Sequence, residues 1–286
     1  MSASAPLFSF VQVEFPWPLG PPDGRYLVRP PDEPDAAASH VIVCATLGAP
    51  ERRRLSSRRR PSRSAPPPAA VATGRATIID VGRPLTGEQP ARAWLNAAGE
   101  DELADGLAVL NRALHTFRLV AADPDVHPVA RRQAIAARIG FGAGEQVADG
   151  LWTAACELSA PLGRRRRSRL LAPQARIAAV LGGREPLLVC EALAVQARSD
   201  LDHGRSRAAA LQVMIALDAA IAELSADPRA PVLTERLTDL HGRRESVAGA
   251  AQAALTGPLA DGDAELVTVA LARVEAALRA RVAADG

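Results

Sequence analysis

Between residues 49 and 75 the chain changes character. Short β-branched segments lie before that point and long Ala/Leu-rich stretches after it, joined by the tract APERRRLSSRRRPSRSAPPPAAVATGR. A strand period and a helix period do not share one element, so the chain is expected to form two modules of different kind. With 286 residues, 48% of them apolar, it has enough material to bury a core in each.

Strand signals fill the amino-terminal module. FSFVQVEF, residues 8 to 15, alternates apolar and polar side chains and stops at Pro16-Trp17-Pro18, where ladder pairing is lost. Pro22-Asp23-Gly24 sets a turn, because Pro fixes φ and Gly tolerates positive φ, and RYLVR reads as the returning strand of a hairpin over 7 to 30. HVIVCATL at 40 to 47 and RATIIDV at 75 to 81 are β-branched runs of strand length, giving a small sheet of three or four strands. Phe8, Phe10, Phe15, Trp17 and Tyr26 supply five of the nine aromatics in the chain. A sheet with little other bulk is expected to spend those rings on its own core, with a binding surface around Trp17 and Tyr26 as the alternative.

From residue 88 the reading is helical. Leu103, Leu107, Leu110, Leu114 and Phe117 are spaced 4, 3, 4, 3, an apolar seam along a helix from about 100 to 121, with Glu100-Asp101-Glu102 at its positive end. HPVARRQAIAARI opens the next expected helix, GFGAG reads as an interhelical turn, and EQVADGLWTAACEL reads as a further helix. PQARIAAVLGG is a short helix ending at a glycine pair, and the last helix follows the Gly257-Pro258 break. Seven to nine helices in a bundle or a short stacked array are expected. The fold class is therefore α+β. A β-rich module spans residues 1 to 85, with a disordered Arg/Pro loop at about 50 to 73, and an α-helical domain spans 86 to 286.

The clearest supersecondary unit is a helical hairpin over 187 to 224. Leu187, Cys190, Ala194, Ala197 and Leu201 make one stripe, His203-Gly204-Arg205 break the run, and Leu211, Met214, Leu217, Ile221 and Leu224 make the next. The segment from Cys190 to Leu224 resembles a single tetratricopeptide-type hairpin, with small residues in the first helix, a Gly-Arg-like turn and an Ala/Leu second helix; no second copy follows at that period. The resemblance implies a helical scaffold that binds protein partners, with Asp202, His203 and Arg205 at the turn as candidate partner-facing residues. An ordinary antiparallel hairpin explains the same pattern.

All 34 basic side chains are arginines. Residues 51 to 63 carry a net +6, and Arg164, Arg165, Arg166, Arg167 and Arg169 add +5, so a chain of net +2 hides two basic spots on a remainder of −9. Such clusters engage phosphate on nucleic acid or an anionic membrane surface, or they are solvated loops and self-docked contacts. Neither is interleaved with aromatics, and no helix-turn-helix, zinc-finger or RNP pattern accompanies them, so the solvated reading is preferred.

No catalytic signature emerges, and the chain reads as a non-enzyme. Gly140-Phe141-Gly142-Ala143-Gly144 lacks the Lys-Ser/Thr and the βαβ setting of a phosphate loop, and Glu145 beside it is the single acid/base candidate. An enzyme is favoured only if folding gathers Glu145, His127 and Asp202 in one pocket. Asp200, Asp202 and His203 do not converge as metal ligands, so no metal and no cofactor are expected. Cys44, Cys156 and Cys190 sit in apolar patterns that suit buried thiols in a reducing compartment. The longest apolar helical stretch, AAALQVMIALDAAIAEL, is broken by Gln212 and Asp218, and no secretory n-region precedes Arg25, so no transmembrane helix and a cytoplasmic location are expected. Leucine stripes serve self-association and internal packing alike, which leaves a homo-oligomer open. The function expected from all this is protein interaction or scaffolding through the hairpin. Phosphate binding through the arginines is the first alternative, and an enzyme with an unrecognised site is the second.

Overall fold

The computed structural model describes residues 6–30, 35–48, 71–158, 174 and 176–284. The two arginine clusters, 51 to 63 and 164 to 169, lie outside the described residues, as does most of the expected loop at 50 to 73. The chain divides into two compact units, Met1–Leu162 and Gly163–Gly286.

The first unit is a six-stranded antiparallel sheet in the order β2-β3-β4-β1-β5-β6. Its strands are β1 Phe8–Phe15, β2 Gly24–Val28, β3 His40–Leu47, β4 Thr73–Asp80, β5 Ala136–Gly142 and β6 Ala154–Glu157. The first four stand where the β-branched runs placed them. Helices α1 (Glu88–Ala97) and α2 (Glu100–Val120) belong to this unit as well. Leu103, Leu107, Leu110 and Leu114 of α2 are buried against Val11, Val13, Phe15, Ile42 and Ile78 of the sheet. The helix lies close, because a Cβ at Gly106 would come within 2.9 Å of Val11 Cβ. Asn111 fixes the chain beyond α2: its amide donates to the Val129 carbonyl at 2.9 Å and accepts the Val129 N–H at 2.7 Å.

The opposite face of the sheet is also covered at its centre. Val147, from the 3₁₀ turn Gly144–Asp149, is buried with Phe10, Val41 and Ile79, and Trp152 stacks on Phe10 at 5.7 Å. Beside that patch runs a cross-strand polar row, Thr77 opposite Gln12 and Gln12 opposite Arg138. The buried Gln12 amide donates to Thr77 Oγ1 at 3.0 Å, and Glu14 accepts from Arg138 at 2.9 Å and from Arg75 at 3.1 Å. A polar group excluded from water needs such partners, and this row supplies them. Phe10 and Phe15 are core residues, whereas Trp17 stays at the surface.

Two sequence expectations are corrected here. Residues 136 to 142 and 154 to 157 are strands, not helices, and the GFGAG segment is the end of a strand, not an interhelical turn. Helix propensity loses because β1 has two edges: β4 takes one, and β5 pairs along the other from Phe8 opposite Gly142 to Glu14 opposite Ala136. The glycines serve close approach. A Cβ at Gly140 would sit 2.4 Å from the Ala154 carbonyl oxygen and 2.8 Å from Phe10 Cζ. The sheet therefore has six strands, and the division between units falls at 162/163 instead of 85/86, because β5, β6, α1 and α2 all complete the sheet unit.

The second unit is a four-helix bundle of α3 Val189–Asp202, α4 Ser206–Ser225, α5 Thr234–Thr256 and α6 Asp261–Ala283. A shorter helical stretch ends at Leu181, and Gly183 (φ +69°) closes it with an N–H to the Val180 carbonyl while Arg184 N–H reaches the Ala179 carbonyl. Gly204 (φ +69°) closes α3 in the same way, with Arg205 N–H on the Asp200 carbonyl. The α3–α4 hairpin is the one the sequence marked, but α6 packs on both α4 and α3, so the helices form a bundle and not an array touching only neighbours. The core is rich in alanine, with Ala197, Ala209, Ala216 and Ala220 fully buried. Helix α4 is long and apolar enough to cross a membrane by length and composition, with a mean hydropathy of 1.5 over its window. Here it is the central helix, with Val213, Leu217 and Leu224 buried among its neighbours.

A buried ion network ties the ends of these helices. Arg281, with 1% of its side chain exposed, donates to Asp227 at 2.7 Å and to Glu185 at 3.3 Å. Asp227 also takes Arg229 at 2.7 Å, and Arg176 joins Glu185 to Glu191. The hydrogen bonds from Arg229 and Arg281 hold the Asp227 carboxyl far below the usual carboxylate range, against the cost of its burial.

Candidate functional site

A broad concavity in the helical unit runs between α3 and α6. It encloses about 960 Å³, and Leu187, Leu188, Val195, Leu278 and Val282 give it an apolar floor. Helices α3 and α6 converge on α4 along most of the bundle, yet at this seam Leu187 is 68% exposed and Val195 71%. On α3 the lining runs from Glu191 to Arg198 and on α6 from Glu275 to Val282, each about 10 Å along the helix axis at about 1.5 Å per residue, or about two helical turns. Charged pairs frame the floor. Arg198 grips Glu275 with two parallel bonds, Nε to Oε1 at 2.9 Å and Nη2 to Oε2 at 3.1 Å, linking α3 to α6. Arg176 and Glu191 form the second pair. The hydrogen bonds Arg198 donates to the Glu275 carboxylate raise its pKa above the ordinary value.

The α3 amino end beside the groove is capped from another helix. Glu223 of α4 accepts the N–H groups of Val189 and Cys190, each at 2.9 Å. Burial works against the charge of Glu223, but these donors keep its pKa lowered, while burial first and then the same carboxylate push the Cys190 thiol up. The cap holds α3 in register with α4 and leaves Leu187 and Leu188 at the mouth of the groove.

The hairpin turn is built differently from its expected role. Arg205 turns inward, with Nε on Asp200 Oδ1 at 2.8 Å and Nη2 on the Ser199 carbonyl at 3.2 Å, so it locks the turn. The Asp202 side chain is exposed and reaches Arg198 only at 4.0 Å. His203 places Nδ1 2.7 Å from the Ser199 carbonyl, which requires the proton on Nδ1. Asp202 and His203 thus remain at the end of α3, while Arg205 joins Asp200. Arg164, Arg165, Arg166, Arg167 and Arg169 lie outside the described residues.

The sheet unit carries a polar cleft of about 370 Å³ at one end of β1, β3 and β4. His40 faces Asp80 across the β3–β4 ladder, and Ser9, Trp94, Glu102 and Asp105 complete the walls. Most of these groups are committed locally. Asp80 accepts the N–H groups of Gly82 and Arg83 at 3.1 Å and also the Arg83 side chain, and Glu102 accepts the Gly99 N–H at 2.6 Å. Burial depresses the His40 pKa below its ordinary value, with Asp80 opposing that shift.

Within the sheet unit, folding sets the enzyme candidates His127 and Glu145 apart. His127 is exposed in the segment whose Val126 and Val129 pack on the helix-covered face of the sheet. Glu145 belongs to the turn over the opposite face and pairs with Arg25. Asp202 belongs to the other unit. Among the described residues no group of three or more His, Cys, Asp or Glu side chains is placed to hold a metal. Cys44 and Cys190 are buried thiols and Cys156 is exposed on edge strand β6, which departs from the expectation of three buried cysteines.

The sequence does not mark the groove, because Leu187 falls in the same helical stripe as Cys190 and Ala194 and Val195 stands one position off it. The signal that could have found it is a set of apolar residues flanking a stripe already filled by Cys190, Ala194 and Ala197. Comparison with family models, with curated proteins and with solved structures finds nothing that matches this chain.

Proposed function

We propose that the protein is an interaction or scaffold component whose helical unit receives an amphipathic helix of a partner protein between α3 and α6. The observation that carries this reading is the open seam of the bundle, where Leu187, Val195 and Val282 stay exposed over a floor of about 960 Å³. An apolar strip between two helices, about two turns long and framed by paired charges, has the chemistry of a helix-binding groove, and a docked helix would close the seam as a further bundle member. The Arg198–Glu275 and Arg176–Glu191 pairs offer both signs of charge at the rim, where complementary side chains set the orientation of a partner.

Site-specific photo-crosslinking in the native cells tests this. A crosslinker at Val195 is expected to give discrete adducts with a second protein that disappear in Leu187→Glu, while one at exposed Arg236 on α5 gives none of them. The same adducts from both positions, or none from Val195, would sink the helix-binding role. Adducts of the chain with itself would replace the partner by a second copy.

A further inference from the structure

The sheet unit has another cavity, between edge strand β2 and helix α2, of about 350 Å³. Its floor is apolar: Val28 and Cys44 from the sheet and Leu110 from α2 are all buried. Tyr26 and Phe117 stand half-buried at its sides, and Leu27 and Val120 at the rim are 62% and 83% exposed. Water in contact with such surface costs about 25 cal/mol for each Å² left open, so an apolar occupant is favoured.

The polar groups of the lining are one-sided. Arg29 and Arg112 both line the cavity, and among the described residues no carboxylate does. Arg29 donates Nε–H to the Ala36 carbonyl at 3.0 Å, and Arg112 donates an Nη2 hydrogen to the Arg29 carbonyl. Both guanidiniums are thus anchored by neutral carbonyl oxygens, and neither forms a salt bridge among the described residues. Each keeps further N–H donors in the planar fork that suits a carboxylate. The Tyr26 hydroxyl is used on the Pro22 carbonyl at 2.6 Å, and burial pushes the Cys44 thiol up to about 11, so neither adds negative charge near neutral pH.

We infer that this cavity binds a small amphiphilic anion, a carboxylate on a short aliphatic tail, with the tail over Val28, Cys44 and Leu110 and the headgroup at Arg29 and Arg112. The volume falls at the small end of ligand pockets, about 300 to 1,000 Å³, which fits a free acid of medium chain length. Because the headgroup site lies at the mouth, the ion pair forms without full desolvation of either charge. Amines of the same length meet the positive charges of Arg29 and Arg112 and are rejected.

Amide NMR of the full chain, titrated with octanoate, octylamine and octanol, tests the assignment. Octanoate is expected to shift the amides of Val28, Ala113 and Phe117 saturably, with half-occupancy on the order of a millimolar or tighter. Octylamine and octanol are expected to bind about tenfold more weakly or worse, and Arg112→Gln to weaken octanoate about tenfold while Arg112→Lys recovers part of the loss. Equal binding of octanoate and octylamine, no loss in Arg112→Gln, or no saturation in the millimolar range each overturns the proposal.

Discussion

Arg281 shows how much this fold asks of single side chains. It is the largest fully buried side chain among the described residues, and its charge is balanced by Asp227 and Glu185. Both carboxyls are held below their ordinary values, Asp227 first by the Arg229 hydrogen bond and Glu185 first by the one from Arg176. A depressed carboxyl contributes stability that is complete above its unfolded value, about 4, and is lost as pH falls through the folded value. Urea unfolding followed by helical circular dichroism is therefore expected to show a flat midpoint from neutral pH down to about 5 and a steep fall below about 4. Asp227→Asn should start from a lower midpoint and fall less steeply. A wild-type midpoint that does not move in acid contradicts a stabilising role for the network. Arginine abundance in the sequence gave no hint of this use, because charge runs drew attention to 51 to 63 and 164 to 169, whereas Arg281 stands alone in an Ala-rich helix.

Among the elements, β5 joins the sheet against its own propensities. Ala, Arg and Gly fill it, yet it forms because β1 offers an unpaired edge and because Gly140 leaves room for Phe10 and the Ala154 carbonyl. Gly140→Val should be strongly destabilising, by about 3 kcal/mol or more, since the added atoms meet backbone that cannot give way. Thermal unfolding measures it; a variant as stable as wild type would mean that β5 does not pack as described. This is also where the sequence was hardest to read. The α2 seam was legible because four leucines repeat at helical spacing on a face that is in fact buried, and the α3–α4 hairpin because Gly204 supplies the positive φ its turn requires. Strands β5 and β6 left no such periodicity, since β5 is placed by a partner strand more than a hundred residues away and β6 pairs only on β5. Of the groove, the hairpin location was legible, but the exposed Val195 and Val282 were not, because a one-dimensional stripe does not reveal where a bundle seam stays open.

In the whole molecule the sheet unit and the helical unit each have their own core, and the candidate sites are separate: the α3–α6 groove in one, the β2–α2 cavity in the other. Each unit is large enough to fold on its own core, and the helical unit contains every residue of its groove. The proposed binding of a partner helix is consequently expected of residues 163 to 286 alone. The most direct measurement is to produce 163–286 and 1–162 separately and compare what each retains from native cell extract with what the full chain retains, alongside Val195→Glu in both the full chain and the helical fragment. The expected result is a cooperatively folded helical fragment that retains the same partner as the full chain and loses it in Val195→Glu. Retention by 1–162 instead, or retention by the helical fragment that Val195→Glu leaves untouched, would contradict a helix-binding groove between α3 and α6.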